Sequence, residues 1–142
     1  MSGGAGAGAV VARGRCNCGA VAFEVRGPLA PGHACHCGLC RRQGGNWAAC
    51  TEADRDDVVL TEAGGLRWHA SSNWARRGFC GVCGAALFWE MPGSGRLGLN
   101  LGSLSPGHGV RIERHIHVAD KGDWYEIDDG LPQFADHETP MP

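Results

Sequence analysis

Seven of the chain's eight cysteines fall in three tight groups: Cys16-x-Cys18, Cys35-x-Cys37-x-x-Cys40 and Cys80-x-x-Cys83. Two thiolates one or two residues apart bind a single tetrahedral ion when the backbone turns sharply around the sulfurs. A glycine just after the second cysteine makes that turn cheap, since positive φ carries no Cβ penalty there. Gly19 follows Cys18 and Gly84 follows Cys83, so the first and third groups read as knuckles. Paired across the chain, Cys16, Cys18, Cys80 and Cys83 predict a four-thiolate structural zinc site that closes the fold. The competing readings are buried cysteines without metal and a redox pair at Cys80 and Cys83. The second lacks the βαβ context such a pair needs.

The middle group supplies three thiolates within six residues, Cys35, Cys37 and Cys40. Three protein ligands with an open fourth position is the pattern of a catalytic zinc. Three thiolates outweigh the ion's two positive charges, so such a centre is a weak Lewis acid towards a hard carbonyl oxygen. It remains a good partner for a soft sulfur. A substrate thiol bound there loses its proton more easily than the reference value of about 8.5 implies. Held in place, the thiolate is a nucleophile for a small electrophile. The alternatives stay open: Cys50, His33 or His36 in the fourth position would close the site, or Cys35 and Cys40 would be free thiols in an empty or redox-active site. Arg41 and Arg42 follow the third thiolate directly, where a guanidinium fork can hold a substrate carboxylate.

Composition narrows the context. A chain of 142 residues suits one domain. A formal charge of −2 gives no basic footprint for nucleic acid. No apolar run approaches the roughly 18 residues of a membrane span. The opening residues lack the basic and apolar regions of a signal peptide, so a reducing, cytoplasmic address is expected. In that address, spaced cysteines more often hold metal than form disulfides.

Residues 1–10 read as a flexible Gly/Ala-rich tail, 11–135 as one domain and 136–142 as a C-terminal tail. Within the domain, Val21, Phe23 and Val25 alternate as one face of a strand, as do Leu87, Trp89 and Met91, and Leu97, Leu99 and Leu101. Ile112, Ile116 and Val118 share a parity, which leaves His115 and His117 together on a face expected to be solvated. Turns are expected at Gly27-Pro28, Pro31-Gly32, Gly44-Gly45, Gly64-Gly65, Pro92-Gly93 and Pro106-Gly107. No window sustains a long helix; one helical turn fits Leu39 to Gln43. Arg76 and Arg77 read as surface charge, and the exposure of Trp47, Trp68 and Trp74 is left open. The prediction is an all-β domain.

The order CNCG, CHCGLCRRQGG, RRGFCGVCGAALFWE and HIHVADKGDWYEIDDGLPQF resembles the glutathione-dependent formaldehyde-activating (GFA) family, from about Arg13 to Phe134. The resemblance implies the Mss4-like β-tent, small antiparallel sheets pinned by zinc. It also implies two zinc ions per chain: one structural, on Cys16, Cys18, Cys80 and Cys83, and one catalytic, on Cys35, Cys37 and Cys40. The reaction implied is condensation of glutathione with formaldehyde to S-(hydroxymethyl)glutathione, a carbon–sulfur lyase chemistry. The partners expected are a small thiol, glutathione or similar, and a small aldehyde. Three rivals accompany this expectation. One is a thiol carrier without catalysis. Another is a protein-binding module with two structural zincs. The last is a sulfoxide-reductase-like enzyme that would use Cys50. The Asp120–Tyr125 and DDGLP stretches match the family with no catalytic role assigned, and Trp124 and Tyr125 read as packing residues.

Overall fold

In a computed structural model, residues 8–142 are described, and the first seven residues of the predicted tail lie outside them. Ten strands and one short helix make up the regular structure of the described residues, β1 Ala12–Arg15, β2 Ala22–Val25, β3 Gly32–Cys35, α1 Gly38–Gly44, β4 Ala48–Asp54, β5 Val58–Glu62, β6 Leu66–Ala70, β7 Arg76–Cys80, β8 Ala86–Glu90, β9 Arg96–Asn100 and β10 Ile112–Ile116. Short 3₁₀ turns follow β4, β9 and β10. The protein is all-β, as expected. Its strands form a three-stranded sheet, β1-β2-β5, and a seven-stranded sheet ordered β10-β3-β4-β9-β8-β7-β6. All the pairings are antiparallel except β3 with β10, which run parallel.

The main core lies between the two sheets. Phe23 and Val25 of β2, with Val21 just before it, are buried on one face, and Leu97 and Leu99 are buried on β9. The alternation read from the sequence holds for Phe23 and Val25 and for Leu97 and Leu99, whereas Leu101 lies past the end of β9 in a 3₁₀ turn. At β8 the alternation does not hold. Gly78 pairs with Phe88 but Phe79 pairs with Ala86, so Leu87 is an extra residue at a bulge. Leu87 and Phe88 are therefore both buried, while Trp89 is half-buried and Met91 is exposed. Gly32 opens β3 and is not in the expected turn. A Cβ there would lie 2.8 Å from the Arg111 carbonyl oxygen, so the close approach of the β10 segment requires glycine.

The other end of the large sheet carries a second, smaller core. Ile116 sits beside Cys35 in the parallel pairing of β10 with β3. Cys35, Cys40 and Ile116 are buried together, with Cys37, Ala48 and Phe134 packed against them. The C-terminal segment reaches this core by backbone bonds on both sides of His115. His115 N donates to Pro132 O, and Phe134 N donates to His115 O. Residues assigned to the C-terminal tail fold back on the domain, with a bridge between Phe134 and Pro140.

Candidate metal centre

The two knuckles converge. Cys16 and Cys18 follow β1, and Cys80 and Cys83 flank the β7–β8 turn, so their meeting joins the three-stranded sheet to the large one. The four Sγ atoms lie within 4.8 Å of one another. Cys18 Sγ is 3.7 Å from both Cys16 Sγ and Cys80 Sγ. That separation matches the edge, about 3.8 Å, of a tetrahedron with Zn–S bonds of about 2.3 Å. Both knuckle glycines have positive φ, 83° at Gly19 and 81° at Gly84. Amides close around the sulfurs: Val21 N donates to Cys16 Sγ, and Val82 N and Cys83 N donate to Cys80 Sγ. Bonds from Ala85 and Cys18 amides hold the Cys83 thiol down at about 6, so thiolate is favoured there before any metal arrives.

The three-sulfur group is equally compact, with Cys35, Cys37 and Cys40 Sγ atoms within 4.8 Å of one another. Cys35 ends β3, Cys37 caps α1, and Cys40 is buried in the first turn of that helix. Cys37 Sγ accepts from Cys40 N, so the sulfur that caps the helix also faces the group. Bonds from the Cys35 and Cys40 thiols, and from the Cys40 and Leu39 amides, press the Cys37 thiol well below its ordinary value. Both donor sets suit a soft, tetrahedral cation such as zinc.

Among the described residues no fourth protein donor joins the three-sulfur group. Each candidate for that position is placed elsewhere. Cys50 Sγ donates to Asn100 Oδ1, and burial pushes its thiol up to about 12. His36 is fully buried, with Nδ1 bonded to Tyr125 Oη and Nε2 to His115 Nδ1. Burial lowers its pKa to about 4, which keeps the ring neutral. His33 lies on β3 outside the group.

Several readings of the sequence change here. His115 does not lie on a solvated face. It is buried, bonded to His36 on one side and, through Nε2, to Asp129 Oδ2 at 2.8 Å on the other. The strand ends before His117, whose φ is 55°, so alternation does not carry past Ile116. Tyr125 packs as expected, against His36 and Trp47, and in addition its hydroxyl completes a chain from Asp129 through His115 and His36. Arg77 is not free surface charge either. Its Nη1 and Nη2 lie 3.7 and 3.6 Å from Cys40 Sγ, and Nη1 donates to Gln43 Oε1. Arg76 points to the opposite face of β7, where it pairs with Glu90 and stacks over Trp68. Of the predicted arginines, Arg41 lies over the Trp124 ring, while exposed Arg42 turns back to Gly38 O. Trp47 is half-buried against His36 and Tyr125, Trp68 against Phe88, and only Trp74 of that trio is exposed.

Two sulfur clusters on a two-sheet β fold, one of four donors and one of three, define a small β protein with two thiol-rich groups that could each hold a metal ion. The profile of one family, Glutathione-dependent formaldehyde-activating enzyme (GFA), matches residues 11–120, and the chain belongs to that family. It is similar to a Halomonas elongata protein provisionally named as a glutathione-dependent formaldehyde-activating enzyme. The two are 30% identical over 125 residues, covering 81% of this chain and 80% of the relative. It is also similar to a Rhodobacter sphaeroides protein of known crystal structure, with a TM-score of 0.57 and 28% identity over 67% of this chain and 89% of the other.

Proposed function

We propose that this protein is a zinc-dependent enzyme of carbon–sulfur lyase type, which joins a small thiol, glutathione or a close analogue, to formaldehyde or another small aldehyde. The observation that carries the proposal is a buried group of three sulfur donors with no fourth protein donor among the described residues. The family membership and the relative's name support the same reaction. A zinc ion on Cys35, Cys37 and Cys40 would supply a fourth coordination position for a thiol sulfur and lower that thiol's pKa. In the overall reaction the thiol loses its proton, its sulfur bonds to the aldehyde carbon, the carbonyl π bond breaks, and the oxygen takes up a proton.

The protein's own part is to bind and orient. The short α1 turn fixes Cys37 and Cys40, and the His36–His115–Asp129 chain anchors the backbone between Cys35 and Cys37. Arg41, which follows Cys40 and lies over the Trp124 ring, would hold a carboxylate of the thiol, with Arg42 next to it. Cys16, Cys18, Cys80 and Cys83 would hold a second, structural zinc. Among the described residues no helix is long and apolar enough to cross a membrane. Eight free cysteines suit a reducing compartment, and we assign the protein to the cytoplasm.

The test is metal content per chain before and after mild chelation, with and without glutathione, alongside the rate of adduct formation with formaldehyde. Two zincs, one labile and protected by glutathione, together with a faster reaction, are the expected result. Protection without acceleration would make the protein a thiol carrier. Two inert zincs that ignore thiols would overturn the proposal and leave a module that binds other proteins.

A further inference from the structure

The geometry points to Arg77 as the counter-cation of the three-sulfur centre, a positioning residue that balances its charge and favours an incoming thiolate. Arg77 and Arg76 are neighbours on β7, yet they solve the problem of a half-buried guanidinium differently. Arg76 has a carboxylate, Glu90, at 2.6 Å. Arg77 has no carboxylate oxygen within ion-pair distance among the described residues. Both of its terminal nitrogens are directed at Cys40 Sγ, and its Nε is buried without a hydrogen-bond partner. A cation withdrawn from water is costly unless an anion faces it. Cys40 Sγ meets that need only as a thiolate, the form it takes when it holds a metal ion.

The placement comes from two elements. Cys40 and Gln43 are three residues apart on α1 and so share a helix face. Together they offer the guanidinium a sulfur and an amide oxygen, the latter 2.9 Å from Nη1. A planar fork can direct two N–H groups at one sulfur, which a lysine ammonium on a flexible stem does less well. Three thiolates and a divalent ion sum to one negative charge, and a fourth thiolate would raise that to two. Arg77, against Cys40 Sγ, offsets one of these charges.

This inference rests on the thiol-binding reading of the open site, and the experiment separates the two. The protein is loaded with Co(II) and metal release to a chromophoric chelator is followed. The four-sulfur site gives the slow phase and reports on folding; the three-sulfur site gives the fast phase. Arg77→Gln is expected to speed the fast phase by roughly tenfold while leaving the slow one unchanged, and Arg77→Lys to fall between it and the wild type. In a glutathione titration read by the sulfur-to-cobalt charge-transfer band, Arg77→Gln moves the midpoint up by roughly tenfold. Equal fast phases in wild type and Arg77→Gln overturn the assignment. If Arg77→Gln disturbs both phases, exposed Gln43→Ala decides: a faster fast phase alone supports the role, and no change overturns it. A wild-type cobalt protein blind to glutathione would instead overturn the thiol-binding reading, whatever the release rates show.

Discussion

His36 Nε2 and His115 Nδ1 lie 2.9 Å apart, joining residues 79 positions distant in the chain. Asp129 is a carboxylate, so His115 Nε2 donates to it; in the tautomer set where His115 Nδ1 accepts, His36 Nε2 donates and its Nδ1 accepts from the Tyr125 hydroxyl. Each ring nitrogen has a partner in this arrangement. Because His36 sits between Cys35 and Cys37, the chain fixes the backbone that carries two of the three sulfurs. His115→Ala leaves the buried His36 Nε2 without its partner and is expected to cost about 1–3 kcal/mol. Asp129→Asn keeps an acceptor for His115 and should cost less. Urea unfolding of the metal-loaded variants measures both, and equal stability of His115→Ala and wild type would refute the linkage.

The two sulfur clusters are predicted to fail differently. Cys80 is fully buried, and its cluster ties the sheets together, so Cys80→Ser removes a metal and destabilises the whole domain. Cys37 is half-buried at the end of a short helix, so Cys37→Ser removes a metal with much smaller loss of structure. Elemental analysis and thermal unfolding read together check this. A Cys37→Ser protein as unstable as Cys80→Ser would mean that both sites are structural.

Cys50 is expected to be chemically quiet. Its thiol donates to Asn100 Oδ1, and burial holds its pKa at about 12, so almost no thiolate exists at neutral pH. Cys50→Ser should leave metal content and thiol binding unchanged. In the native metal-loaded protein Cys50 should alkylate with iodoacetamide far more slowly than a free cysteine. Fast modification of Cys50, detected by peptide mass mapping, would restore it as a candidate redox residue.

What could be read from the sequence was whatever is local. Ligand spacing and the glycine after each knuckle lie within a few residues, and they marked all seven cluster sulfurs before any fold was known. Alternation likewise identified the buried faces of β2 and β9. Arg77 and His115 escaped because their meaning depends on pairing. Arg77 is 37 residues from Cys40 and His115 is 79 from His36, and nothing near either residue encodes the register that brings them together. Leu87 shows a third kind of loss: one extra residue at a bulge changes which side chains face the core, and period-two reasoning has no means of seeing it. The Asp129 and Phe134 segment gains its account in the same way, as the support of His115 and of the small core around Cys35 and Cys40.

The C-terminal turn should carry an acid-sensitive share of stability. Asp136 accepts from Thr139 N, Glu138 N and Thr139 Oγ1, and these bonds lower its carboxyl pKa to about 2. A depressed folded-state value means that the unfolded chain binds the proton first as pH falls. The contribution is therefore complete above the ordinary carboxylate value of about 3.9 and disappears as pH drops through about 2. Asp136→Asn keeps one acceptor and removes the charge, so it mimics the protonated state at every pH. Acid also strips metal from thiolates, but that loss is common to both proteins and cancels in their difference. The Tm of wild type minus that of Asp136→Asn should accordingly be positive and flat from neutral pH down to about pH 5, then shrink on further acidification. A difference that stays constant down to about pH 3 would show that the charge on Asp136 contributes nothing to the turn.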